Sequence, residues 1–284
     1  MITHKTNLQA LDPMNERDAY VVKGLIQKFE DRVVVELTLR CAKYCEFCYR
    51  KWKVGAKSSV LTRKDIKGIG EILKKNHRIN EVIISGGDPF TEPDLLVYFL
   101  RLLERIKSIT VIRIHTRLPI VKPEIMSEKI LKQIFKCKKP VYVSLHVNKA
   151  EELSKKAIKA ITKLKRVGAI LYSQSVMLSG INDSPIVLAA LFEKLLAVGV
   201  RPYNIYHCNK AAGIEHFIVP LEREIEIMTE VRSKISGLAY PTLIVDAPGS
   251  AHKIPAPLSN WKCDISEFKD FAGKSHSLQE IDRI

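Results

Sequence analysis

Val141-Tyr-Val-Ser-Leu-His146, a lysine-rich stretch ending at Arg166, Gly168, and then Ile170-Leu-Tyr-Ser-Gln-Ser-Val-Met177 read as strand, helix and strand. Ile158, Ile161 and Leu164 recur at helical spacing between the two β-branched runs and share one face. Gly168 stands where a helix C-terminus takes glycine. The two strands start about thirty residues apart, the length of one βα unit. The same beat extends both ways, through Glu81–Ser85, Val111–His115 and Pro202–Cys208, with Val33–Leu39 and Pro241–Asp246 at the ends. Leu96, Leu100 and Leu103 mark another helix, and Leu188, Leu191, Phe192 and Leu195 a third. Ser184 suits the N-cap of that third helix, with Pro185 in its first position and Gly199 beyond its end; Gly237 ends a further one.

Strands alternating with helices predict a parallel sheet, and right-handed crossovers roll six such units into an open or partly closed barrel. The fold class expected is therefore α/β, a partial (β/α)6-type TIM barrel over residues 31–257. A short helical extension over 1–30 is expected before it and a polar tail over 258–284 after it. With 46% hydrophobic and 27% charged residues in 284, the chain has enough apolar content for a packed core, which excludes disorder as its main state. Every apolar run is shorter than a bilayer needs, and the first residues lack an exported leader's apolar core, so a cytoplasmic protein is expected. The formal charge of +15 permits an acidic partner or nucleic acid without demanding either.

Polar residues crowd the carboxyl ends of these strands. Ser85-Gly86-Gly87-Asp88 closes one, His115 and Arg117 another, and His146, Gln174, Tyr206, Asn209 and Asp246 follow. In βα barrels that rim carries the active site. Just after the first strand comes Cys41-Ala-Lys-Tyr-Cys45-Glu-Phe-Cys48, half of the six cysteines within eight residues. In a reducing compartment this is a metal site rather than a set of disulfides. A zinc knot completed by a histidine is one reading, although no second cysteine arm is present. A cubane [4Fe–4S] cluster with one iron left open is the other. Lys253, on the Asp246-Ala-Pro-Gly-Ser-Ala-His-Lys253 segment, is either a surface charge or a lysine able to form a Schiff base.

The C-x3-C-x2-C spacing, with an aromatic residue before the last cysteine, resembles the signature of the radical S-adenosylmethionine (SAM) superfamily. The resemblance implies that Cys41, Cys45 and Cys48 hold the cluster and that Ser85, Gly86, Gly87 and Asp88 form the SAM-binding element. A narrower resemblance, from Asp31 to about Pro255, is to the lysine 2,3-aminomutase family, which adds pyridoxal 5′-phosphate (PLP). It is carried by Asp31-Arg32-Val33, Cys48-Tyr49-Arg50, Arg117-Leu-Pro119, Gln174-Ser-Val176, Gly180-Ile-Asn182-Asp183, Glu215-His216-Phe217 and the Asp246–Lys253 segment. By this resemblance Lys253 carries PLP, Arg32 binds its phosphate with Lys28 assisting, and Arg50 takes the substrate carboxylate. His146 and Gln174 contact SAM. The implied activity is an amino-acid 2,3-aminomutase acting on L-lysine or a related amino acid. An external donor such as flavodoxin or ferredoxin supplies the electron.

Three features depart from the family pattern. Asn209 and Asp246 stand where two aspartates would bind the distal ammonium of lysine, so one negative charge is replaced by an amide. Ser184 and the single tail cysteine, Cys263, lack the family's zinc ligands. The short N-terminal region leaves the family's oligomer open. Two other readings remain at this point. One is a mutase that supplies β-lysine to a translation factor. The other is a zinc-stabilised nucleic-acid-binding module using Lys155, Lys156, Lys159, Lys163, Lys165 and Arg166, although a solvated helix face explains that run as well.

Overall fold

The computed structural model describes residues 12–55, 60–246, 253–259, 267–269 and 274–277. Residues 247–252, Cys263 and most of the tail lie outside the described residues. In chain order the first elements are β1 (Tyr20–Val22), β2 (Leu25–Ile26), β3 (Arg32–Thr38), α1 (Arg63–Lys75), β4 (Glu81–Gly86), α2 (Pro93–Glu104) and β5 (Val111–Thr116). There follow α3 (Leu118–Val121), α4 (Glu128–Ile134), β6 (Val141–His146), α5 (Lys155–Arg166), β7 (Ile170–Val176) and α6 (Pro185–Ala197). The last are β8 (Arg201–Tyr206), α7 (Leu221–Lys234), β9 (Thr242–Asp246), β10 (Lys253–Pro255), β11 (Glu267–Lys269) and β12 (Ser275–Ser277).

Strands β3 to β9 pair in parallel, each with the next in sequence, as the thirty-residue beat predicts. An antiparallel pair, β1 and β2, extends one edge, and β10 runs antiparallel to β9 at the other. The resulting ten-stranded sheet curves without its edge strands pairing, an open barrel; β11 and β12 form a separate ribbon. Period-two alternation divides each strand. Val33, Val35, Leu37, Val82, Ile84, Ile112, Ile114, Val143 and Leu145 are buried in the core cluster with the helices. Their alternates point to the barrel interior.

Local chemistry explains the helix ends. Thr62 and Asp65 cap α1 reciprocally, the Thr62 Oγ1 accepting from Asp65 N at 3.1 Å and Asp65 Oδ2 accepting from Thr62 N at 2.8 Å. Ser154 caps α5, and Gly168 adopts φ +88° just past it. The buried face of α5 is Ala157, Ala160, Ile161 and Leu164, with Ile158 at its margin. Its lysines and Arg166 are mostly solvated. Ser184 occupies the N-cap of α6 without a side-chain bond, and Gly237 lies beyond the end of α7, which stops at Lys234.

One expectation is corrected. Residues 12–30 are not a helical extension: Arg17–Ala19 makes a single 3-10 turn and β1 and β2 then form a hairpin. Val21 and Val22 favour strand, and Gly24 reverses the chain at φ +78°. Docked on β3, the hairpin gives the barrel's first parallel strand a partner on its outer side. Arg32 accordingly opens β3 and Lys28 lies between β2 and β3, neither of them on a helix.

Candidate active site

At the carboxyl ends of the strands the barrel encloses a cavity of about 310 Å³. Cys41, Cys45, Cys48, Arg32, Arg50, the Ser85–Asp88 turn, His146, Gln174, Asn209, Asp246 and Lys253 all line it. The sequence scatters these residues over more than two hundred positions, and the fold gathers them around one space.

The cluster loop leaves β3, and its start is tied to the turn after β4 by backbone hydrogen bonds. Gly87 N donates to Thr38 O at 2.6 Å and Asp88 N to Arg40 O at 2.8 Å. A Cβ on Gly86, whose φ is +102°, would sit 2.4 Å from Thr38 O, and one on Gly87 2.2 Å from Arg40 O. These glycines are thus required for backbone to meet backbone, in addition to any approach to a ligand. Asp88 is buried, and its carboxylate accepts from Thr116 Oγ1, Arg117 N, Leu118 N and Phe90 N at 2.8 to 3.2 Å. It therefore locks the β5 terminus to the β4 turn.

The three thiols share one wall. The Cys41 thiol is pushed up to about 12 by burial, then by Asp88 and the two other cysteines. Arg117 Nη1 donates to Cys45 Sγ at 2.7 Å while its Nη2 pairs with Glu152 at 2.7 Å. Among the described residues no three His, Cys, Asp or Glu side chains are drawn together as a single metal ion requires. Cluster thiolates bind separate irons and need no such closeness, so the donor set fits an iron–sulfur cluster.

Two imidazoles face the cavity with unpaired atoms. Nε2 of His115 and Nε2 of His146 have no hydrogen-bond partner among the described residues. Burial, then the Arg117 charge, brings His146 down to about 3, so it is neutral; burial, then the Arg113 charge, holds His115 well below the usual histidine value. His146 also stacks on Phe47, their ring centroids 5.3 Å apart. Unsatisfied buried nitrogens at a cavity wall suit a polar ligand. Gln174 sits directly beside His146 in the β6–β7 register.

On the opposite edge, Lys253 Nζ pairs with Asp246 at 2.9 and 3.0 Å and lies 4.3 Å from the Tyr206 ring centroid. Burial acts to lower its pKa, but Tyr206 and Asp246 outweigh that and hold the ammonium above the usual lysine value. Lys28 and Arg32 line the same cavity, so an amine and two further cations share one space, a set of groups that suits an aldehyde phosphate. Burial lowers the pKa of Lys28, whose Nζ donates to Met14 O at 2.7 Å.

Sequence reasoning missed a buried charge network. Arg50 forks onto Glu16, Lys53 bridges Glu16 and Glu36 at 2.6 Å each, and Tyr20 OH donates to Glu36. The one legible signal was Glu36, a glutamate inside a β-branched strand. Arg117, His115 and Tyr206 were recognised as rim residues without a role.

Comparison with known proteins accounts for this arrangement. The model of the radical SAM superfamily matches residues 35–192. An L-lysine 2,3-aminomutase of Methanococcus maripaludis is 34% identical over 94% of this chain and 62% of its own length. That of Buchnera aphidicola is 32% identical over 86% of this chain and 72% of its own. The chain spans between about half and two-thirds of the length of several such curated relatives. In fold it is similar to a radical SAM methyltransferase from Sphaerobacter thermophilus, with TM-score 0.54 at 18% identity, covering 78% of this chain and 68% of the other. The chain belongs to the radical SAM superfamily and, within it, to the lysine 2,3-aminomutase family.

Proposed function

We propose that the protein is an amino-acid 2,3-aminomutase, an isomerase that moves the α-amino group of L-lysine or a related amino acid to the β-carbon. The observation that carries this reading is that the cluster cysteines, Arg50 and Lys253 face one cavity. Membership of the family brings a [4Fe–4S] cluster, SAM and PLP. Together these supply hydrogen abstraction from an unactivated carbon and a ring over which the odd electron spreads.

The chain's own residues bind and orient. Cys41, Cys45 and Cys48 hold the cluster beside the β4 turn. The Ser85–Gly87 backbone, His146 and Gln174 receive SAM, with Asp88 fixing the turn from behind. Lys253 carries PLP, and Arg32 and Lys28 face its phosphate. Arg50 receives the substrate carboxylate, a task suited to a planar fork. Asn209 and Asp246 face the distal end of the substrate, where a single carboxylate, already paired with Lys253, offers less negative charge than two would. That balance leaves room for amino acids other than lysine. The barrel wall excludes water from a reactive centre.

A cytoplasmic location and an external one-electron donor such as flavodoxin or ferredoxin go with this reading, since an open cluster needs a reducing compartment. No helix among the described residues is long and apolar enough to cross a membrane. The test is anaerobic reconstitution with iron, sulfide, SAM, PLP and reductant, followed by a panel of α-amino acids. A β-amino acid from at least one is expected; none from any contradicts the reading.

A further inference from the structure

The Arg50 guanidinium has two usable edges, and Glu16 occupies one. Arg50 Nε lies 3.1 Å from both Glu16 oxygens and Nη2 lies 2.6 Å from Oε1, which is the side-on edge of the fork. The other edge is loosely held: Nη1 reaches Ser85 Oγ at 3.2 Å and Gly86 O at 3.5 Å. Glu16 and Ser85 both line the cavity with Arg50. We propose that Glu16 is a positioning residue, which grips the side-on edge of Arg50 and turns its outer edge to the cavity as the seat of the substrate carboxylate. This rests on the aminomutase reading and adds to it the residue that sets the carboxylate site.

The alternative, that Glu16 is a stand-in which the substrate carboxylate displaces, conflicts with how firmly it is held. Lys53 Nζ binds its second oxygen at 2.6 Å, and its side chain is 7% exposed. Arg50 and Lys53 outweigh burial and bring its carboxyl down to about 2. Its segment is fastened by Asp12 Oδ2, which accepts from Arg17 N at 2.8 Å, and by Arg17, whose guanidinium lies 4.4 Å from the Trp52 ring centroid. Parting a buried ion pair leaves uncompensated charge, among the costliest changes a fold can suffer.

The experiment is calorimetric binding of L-lysine and of the matching decarboxylated diamine to protein reconstituted with cluster and PLP. Wild type is compared with Glu16→Gln and Glu16→Asp. The wild type should prefer the carboxylate-bearing ligand. Glu16→Gln should weaken L-lysine by about tenfold, the loss of one charge-assisted contact, and leave the diamine unchanged. Glu16→Asp should recover part of the preference. Iron and PLP content and the melting temperature show whether each variant is intact. If Glu16→Gln unfolds, the Glu16→Asp preference alone decides. Tighter L-lysine binding by Glu16→Gln, equal loss for both ligands, or no carboxylate preference in wild type overturns the proposal. Formation of a β-amino acid by the wild type is read separately, so failure of the aminomutase reading is distinguishable.

Discussion

Lys253 and Asp246 are direct cross-strand partners on the β9–β10 pair, and their side chains meet as an ion pair at 2.9 and 3.0 Å. A residue seven positions along the chain is thereby returned to the strand end it left, at the mouth of the cavity. The ammonium must lose its proton before it can attack an aldehyde. Because Lys253 is held above the usual lysine value, PLP attachment should be slow at neutral pH and accelerate as pH rises. Asp246→Asn removes one cause of the shift, so its rate profile should move to lower pH. Stopped-flow absorbance of the visible PLP band reads this directly, and Lys253→Ala should show no such band.

Gly87→Ala tests the backbone approach between the β4 turn and the cluster loop. A methyl group 2.2 Å from Arg40 O cannot be accommodated without moving one of the two chains. Overpacking of this kind costs about 1–3 kcal/mol. Iron bound per chain after reconstitution should fall along with the melting temperature. Gly68→Ala, on helix α1 with nothing within 4 Å of its added Cβ, should leave iron content unchanged.

Arg117 places a permanent positive charge against Cys45. Cationic hydrogen-bond donors to cluster sulfur favour the reduced state. Arg117→Leu should therefore shift the cluster potential to more negative values in an EPR-monitored titration, with the three cysteines still binding iron. Glu152→Gln, which frees Arg117 from its counter-ion, should shift it the other way.

The apo protein should lose stability as pH falls below about 6.5. His146, at about 3 when folded, stays neutral while the unfolded chain takes up a proton, so stability is present above the unfolded value and lost toward the folded one. At pH 5 the difference is about 2 kcal/mol. Denaturant titrations from pH 7 to 5 should show a shallower slope in His146→Gln. Below about 4.5 a second loss follows, as the unfolded chain protonates its Glu16 and the folded one does not until about 2.

The parallel strands, the three cysteines and the Ser85–Asp88 turn were legible because their signals are local, whereas Arg32, Arg50, Asn209 and Lys253 were placed by the family resemblance. A thirty-residue beat, a cysteine spacing and a Gly-Gly turn can each be read within a short window. The N-terminal hairpin was not, because strands of three and two residues leave almost no periodicity and its register is set by docking on β3. The Glu16–Arg50–Lys53–Glu36 network was equally hidden. Its members lie 34 and 37 residues apart along Glu16's contacts, and nothing local marks a charged residue as buried. Gly86 and Gly87 were recognisable as necessary, but that they admit neighbouring backbone emerges only once β3 and β4 are paired.

The central claim is that one cavity brings cluster chemistry and Lys253-bound PLP to the same substrate. The most direct measurement is NMR of an anaerobic reaction with L-lysine, or the amino acid the panel selects, carrying 15N on its α-amino group and 13C at C3. The account predicts that the C3 signal acquires a one-bond coupling to 15N, with SAM not consumed in proportion. An uncoupled C3 signal while SAM is steadily cleaved would contradict it.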